Sequence, residues 1–133
     1  MLAASLAGTT LAVDGASVVL AEWRDLGGAP DPPRYIAPLH IHHSDDEAWY
    51  VLEGALRFLL GDEEVEAAAG GAVVAPGGVA HTYWNPRPEP ARYLLVMTTR
   101  IAALIDAIHA PGETRTMGEV FQAYDSTLIG WPQ

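Results

Sequence analysis

The feature that most constrains this chain is its punctuation. Short segments rich in Val, Leu, Ile, Tyr and Trp recur along it, cut apart by Gly, Pro, Asp and Asn. Strand candidates fall at Thr10–Val13, Ser17–Trp23, Ala37–His42, Glu47–Glu53, Ala55–Leu60, Glu64–Ala67, Gly71–Ala75, His81–Asn85 and Ala91–Thr98. Turn signals separate them at Asp14-Gly15, Glu53-Gly54, Gly61-Asp62, Gly70-Gly71 and Pro76-Gly77-Gly78, and Gly27–Arg34, with two glycines and three prolines, reads as a loop. No helical period interrupts this run. Many short strands at such spacing predict an all-β antiparallel sandwich or barrel.

After Thr98 the period changes. Ile101, Leu104, Ile105 and Ile108 stand at i, i+3, i+4 and i+7, an amphipathic helix that Thr98 or Thr99 can cap and that Pro111-Gly112 ends. Val120, Phe121 and Tyr124 hint at a second short helix. The chain of 133 residues is long enough for one core, so we expect a barrel over residues 1–98 and a helical C-terminal extension over 99–133 packed on it. The plainest role for that tail is a cover on the outside of the sheet; the alternatives are a dimer contact or a flap over the barrel mouth.

Composition matters for what it removes. All seven Lys+Arg residues are arginine and 17 residues are acidic, a net charge of −10, so nucleic acid and anionic membrane are poor partners. No apolar run reaches the ~18 residues of a membrane span. Met1–Gly8 lacks the basic start of a secretory leader, which makes a cytoplasmic location the expectation. Without cysteine there is no disulfide, thiolate nucleophile or sulfur ligand. Any metal must be held by nitrogen and oxygen.

Those atoms are available. Of five histidines, His40 and His42 are two apart in a strand candidate and therefore share a face, whereas His43 points to the other. Glu47 lies just beyond the Ser44-Asp45-Asp46 turn, and His81 follows the Pro-Gly-Gly turn. Three imidazoles and one carboxylate on an inner face suit Fe, Mn, Ni, Cu or Zn, and the nitrogen-rich set disfavours Mg or Ca. A lone histidine on an apolar face is usually a satisfied core residue; four donors converging from three turns are harder to explain that way. His43 and His109 read as surface or hydrogen-bonding residues, and Asp45 and Asp46 as turn residues.

The same positions carry a family resemblance. His40-Ile41-His42, four residues, Glu47, six residues and Gly54 form one motif. Gly70, five residues, Pro76-Gly77-Gly78, two residues, His81, three residues and Asn85 form a second. The chain resembles a small single-domain cupin, with motif one spanning 34–54, motif two spanning 70–85, and 15 residues between them. Arg34 occupies the place of the first glycine of motif one. The resemblance implies a double-stranded β-helix, or jelly-roll barrel, in which His40, His42, Glu47 and His81 hold one divalent transition metal. It also implies a homodimer, through the N-terminal strand or the tail helix.

Alternation from Glu47 and His81 sends Trp49, Val51, Tyr83 and Asn85 inward, and Leu56 and Phe58 follow by pattern. We expect these six to line a pocket for a small, largely apolar or aromatic molecule, with the bland alternative that they simply fill the barrel. With no Lys/Arg cluster to clamp a diphosphate, a sugar nucleotide is a poor ligand. Tyr83 and Glu47 are the candidate catalytic residues, Tyr83 as a hydroxyl donor or acid. The resemblance implies a metalloenzyme, either a dioxygenase of the flavonol-cleaving kind or a cyclase or isomerase. The alternatives are a small-molecule-binding module without turnover and a barrel with a structural metal.

Overall fold

The alternating segments assemble into two five-stranded antiparallel sheets in a computed structural model that describes Leu6 and residues 8–132. In chain order the strands are β1 (Thr10–Leu11), β2 (Val18–Asp25), β3 (Leu39–His42), β4 (Glu47–Glu53), β5 (Ala55–Leu60), β6 (Glu63–Ala68), β7 (Ala72–Ala75), β8 (His81–Trp84) and β9 (Ala91–Thr98). The helices α1 (Thr99–Ile108) and α2 (Met117–Ala123) follow, and then β10 (Ser126–Gly130). One sheet runs β1-β2-β9-β4-β7 and the other β10-β3-β8-β5-β6, the two-sheet antiparallel architecture expected from the strand pattern and the jelly roll that the family resemblance implies. Among the described residues, no helix is long and apolar enough to cross a membrane. Most of the apolar segment Met1–Gly8 lies outside the described residues.

The inward faces of the two sheets meet over an aromatic core. Trp49 of β4 packs on Phe58 of β5 at 5.1 Å between ring centroids and on Tyr83 of β8 at 5.3 Å. Phe58 and Tyr83 stack with an 18° tilt, and Tyr83 meets Tyr93 of β9 edge-on. Val51, Leu56 and Leu95 close the gaps around them. Each such side chain contributes on the order of 1.5–3 kcal/mol of burial, and the edge-on and offset ring geometry adds to it.

Two tight turns set how the strands meet. Gly77, in the turn before β8, lies against the turn joining β3 to β4: its N–H donates to Asp46 Oδ1 at 2.8 Å, and a Cβ there would stand 3.2 Å from the Asp45 nitrogen. The N–H of Gly78 donates to the His42 carbonyl at 2.7 Å. The second motif thus needs small residues because another backbone crosses it closely. Gly54, between β4 and β5, has φ +73°, and the Pro90 carbonyl oxygen would clash with a Cβ there. Arg34, in place of a motif glycine, reaches 3.8 Å to Asp25 and donates to the Ala29 carbonyl, tying down the Gly27–Pro33 loop.

The tail contains more than the two helices read from its period. Thr98 caps α1 by accepting from the Ile101 N–H, and Thr116 with Glu119 forms a reciprocal capping box at α2. β10 then pairs antiparallel with β3, placing Ser126 opposite His42 and Leu128 opposite His40. A five-residue strand with one Gly and no alternation strong enough to mark it is invisible to period alone; only its partner in the sheet defines it. Leu104, Val120 and Phe121 form a second small core beneath the helices. Leu104→Ala is expected to lower stability by about 2–5 kcal/mol in urea unfolding, since this residue is 1% exposed and bridges α1 to α2.

Candidate metal centre

His40 and His42 sit on β3, His81 directly opposite His40 on β8, and Glu47 at the start of β4 in the facing sheet. All four are buried, at 6%, 3%, 1% and 6% exposure for His40, His42, His81 and Glu47. One ligand atom from each lies within 4.8 Å of the others, so the group can hold a metal ion. His81 Nε2 is 3.0 Å and His42 Nε2 3.4 Å from Glu47 Oε1, while His40 Nε2 stands 3.2 Å from His42 Nε2. The turn contacts of Gly77 and Gly78 bring this about, because they press the loop between His42 and Glu47 against the loop that delivers His81.

The far side of each ring decides what the near side offers. His40 Nδ1 lies 2.6 Å from the Pro38 carbonyl and His81 Nδ1 lies 3.2 Å from the Val79 carbonyl. A carbonyl only accepts, so both Nδ1 atoms carry the proton and in the neutral rings Nε2 is bare. His42 Nδ1 is 2.8 Å from Ser126 Oγ. Burial, with the neighbouring His81 and His42, pulls the His40 pKa from 6.5 down to about 4. His40 is therefore neutral near pH 7, and its Nε2 faces His42 Nε2 without a proton to share. Burial pushes the Glu47 carboxyl up, yet the adjoining His42 and His81 imidazoles outweigh it and hold its pKa at about 2. A buried carboxylate beside bare ring nitrogens is the donor chemistry of a divalent cation site.

The group opens onto a cavity of about 210 Å³. His40, His42, Glu47 and Tyr83 line it together with Trp23, Ile36, Ala37 and Pro38 from the barrel and Ile101, Leu104, Ile105, Ile108 and Phe121 from the tail. Phe121 lies 5.3 Å from the His40 ring, centroid to centroid. The tail covers the mouth of the barrel over the donors, so the flap reading describes its position better than a cover on the outer face. His109 also lines the cavity, with Nδ1 donating to the Ile105 carbonyl. Its place at the end of the apolar stripe of α1 was the signal that could have found it.

The expected pocket lining needs correction. Trp49, Val51, Leu56 and Phe58 do point inward but are 1% exposed or less and fill the barrel below the donors. Asn85 is buried too, yet it braces a loop: it donates to Asp25 Oδ2 at 3.0 Å and to the Glu89 carbonyl at 2.7 Å, and it accepts from the Arg87 N–H. Alternation identifies the inner face, but side-chain volume decides which part of that face stays open. Of the six, only Tyr83 reaches the cavity. Its hydroxyl is bonded to that of Tyr93 at 2.9 Å, and burial, with the neighbouring Tyr93, raises its pKa well above 10. Tyr83 thus keeps its proton at neutral pH and is a hydrogen-bonding group, not an acid. Asp46 serves the Gly77 turn and Asp45 pairs with Arg100 at 3.3 Å, while His43 faces outward to Thr127.

The titration of this cluster carries a prediction for the metal-free protein. An unfolded chain takes up a proton at a histidine below about pH 6.5, whereas folded His40 does so only near 4, so stability falls as pH drops across that interval. Glu47 continues the loss between about pH 4.5 and 2. Urea melts at half-unit pH steps should show both limbs, and His40→Asn should flatten the upper one.

Comparison with known proteins agrees with this geometry. The family profile described as Cupin domain matches residues 31–97, just over half of the chain. Among solved structures, the protein TT1209 from Thermus thermophilus is 28% identical with a TM-score of 0.54, the match covering 65% of this chain and 76% of that one. A sugar phosphate isomerase of the cupin superfamily from Silicibacter pomeroyi is 27% identical with a TM-score of 0.53, covering 62% of this chain and 51% of that chain. KdgF from Halomonas sp. shares the fold at 22% identity and a TM-score of 0.51, covering 62% of this chain and 68% of that one. No curated protein matches the sequence. With both motifs in place, the four donors gathered at one end of a jelly roll and the profile match across them, the chain belongs to the cupin family.

Proposed function

We propose that this cupin is a metal-dependent enzyme acting on a small, largely apolar or aromatic molecule. The observation that carries the reading is the position of the donors: His40, His42 and Glu47 form the polar floor of a cavity whose walls and roof are mostly apolar. A donor group turned toward an open, water-poor cavity is the arrangement of a reactive site, whereas a structural site is closed on all sides. Its volume, below the roughly 300 Å³ at which pockets for drug-sized ligands begin, calls for a small ligand.

His40, His42, Glu47 and His81 would hold the ion, and their nitrogen-rich set favours Fe, Mn, Ni, Cu or Zn. Bound there, such an ion would supply a Lewis acid for cyclisation or isomerisation or, if redox-active, a centre that mediates electron transfer from the substrate to O2 in a dioxygenation. The rest falls to the protein. The tail helices exclude water from the floor, which strengthens every electrostatic contact there. Tyr83, protonated and anchored by Tyr93, orients a ligand oxygen by hydrogen bonding. Ile101, Leu104 and Phe121 select for an apolar body.

Among the described residues no arginine lines the cavity, and the chain has no lysine. A phosphate group would find no arginine or lysine here to clamp it, which disfavours sugar phosphate chemistry for this protein. The other readings, a binding module without turnover and a structural metal, differ in measurable ways. Protein purified without a chelating tag should contain about one equivalent of transition metal, lost in a His40→Ala/His81→Ala variant. Small aromatics should perturb the Co(II) spectrum of the loaded protein, and a redox-active metal should bring oxygen uptake with substrate. Zinc with turnover under anaerobic conditions would favour cyclisation or isomerisation. Ile105→Trp, filling the cavity, should leave the metal in place and abolish the response to ligand. A parent that takes up no metal would refute the enzyme reading.

A further inference from the structure

The three imidazoles do not make their outer hydrogen bonds to the same kind of partner. Those of His40 and His81 end on carbonyls two residues before each histidine, within their own segments. His42 alone is bonded across strands, to Ser126 Oγ of β10, 84 positions away in sequence. A hydroxyl, unlike a carbonyl, can donate or accept, so by itself it leaves the ring free to take either tautomer. Ser126 is not left free. Its own proton goes to the Tyr124 carbonyl at 3.2 Å, and its lone pair is what remains for His42. His42 Nδ1 must then be the donor, and its Nε2 is bare toward the other donors. Ser126 is 2% exposed, so no water competes for this contact.

We propose that Ser126 is a positioning residue of the metal centre, which accepts the Nδ1 proton of His42 and thereby fixes both the ring orientation and the tautomer that presents Nε2 to the ion. The proposal rests on the reading that His40, His42, Glu47 and His81 bind a metal. It makes the C-terminal strand part of that centre and not just its covering. The surroundings hold the strand in the register this requires. Asp125, with φ 55°, passes its carbonyl to the His43 N–H at 3.0 Å, and His43 meets Thr127 at 2.8 Å. Arg100 on α1 reaches both Asp125, at 2.9 Å, and Asp45 in the turn between His42 and Glu47, at 3.3 Å. One guanidinium thus ties the strand that carries Ser126 to the loop that separates two of the donors.

The test uses the full chain, with Zn(II) and Co(II) as probes. Ser126→Ala removes only the hydroxyl. It is expected to weaken Zn(II) binding by about 10–100-fold in competition with a chromophoric chelator, the usual effect of losing such a partner. The Co(II) absorption spectrum should change with it, because His42 is no longer held. Ser126→Thr keeps the hydroxyl and should restore both readouts. Melting of the metal-free proteins separates the role from simple scaffolding: metal-free Ser126→Ala should unfold close to the parent while its zinc-induced increase in Tm shrinks. Parent-like zinc affinity and Co(II) spectrum in Ser126→Ala would overturn the proposal and leave the metal site standing. Equal losses in Ser126→Ala and Ser126→Thr would also overturn it. Failure of the parent to bind either ion would overturn it together with the metal reading beneath it.

Discussion

The interaction on which the rest of this structure depends is the crowding of three ring nitrogens and a carboxylate oxygen, all from buried residues, within 4.8 Å of one another. Such groups satisfy each other only in part. His40 is neutral near pH 7, its outer nitrogen already spent on a carbonyl, and it points a bare nitrogen at His42. Left alone, the cluster is a reservoir of unfavourable free energy that the barrel must offset through its core. A divalent cation bound there would reverse the sign, because each buried donor would then have a partner and binding free energy would add to folding free energy.

The two turns that gather the donors and the core that carries the cost are separate parts of one barrel. At the filled end Trp49, Phe58, Tyr83 and Tyr93 interlock, and no space remains for a ligand. At the other end the barrel runs out of large side chains, and the helices α1 and α2 span the gap. The cavity exists because the tail roofs the barrel mouth without filling it. Its floor is polar because the donors cannot be covered by apolar residues and still reach an ion. Tyr83 belongs to both ends: its ring is core, and its hydroxyl, paired with Tyr93, is among the few polar groups the cavity meets.

The strand alternation placed His40, His42, Trp49, Val51 and Tyr83 on the inner face from sequence alone, and the helical stripe of Ile101, Leu104, Ile105 and Ile108 marked the inner face of the tail. Both are local properties. What alternation could not separate was an inward residue that fills space from one that borders it; Leu56 and Phe58 look the same as a lining residue until the opposite sheet is in place. Asn85 illustrates the same limit from the polar side. Alternation from His81 sent it into the pocket, whereas its amide binds Asp25 and Glu89, residues whose proximity depends on the sheet being closed.

The amino-acid sequence by itself determined the strand count up to Thr98, an antiparallel sandwich or barrel, the four donors and the exclusion of cysteine, lysine and a basic surface, because each of these follows from residue type, period or short spacing; the jelly roll was what the family resemblance implied. Tertiary structure decided the rest: that β10 completes the sheet beside β3, that Ser126 stands behind His42, that the tail forms a roof, and that Arg34 and Arg100 serve as clamps. Those outcomes turn on pairs far apart in the chain. A hydrogen bond spanning 84 positions leaves no periodic trace, since nothing in the local sequence records which distant side chain will arrive to accept it.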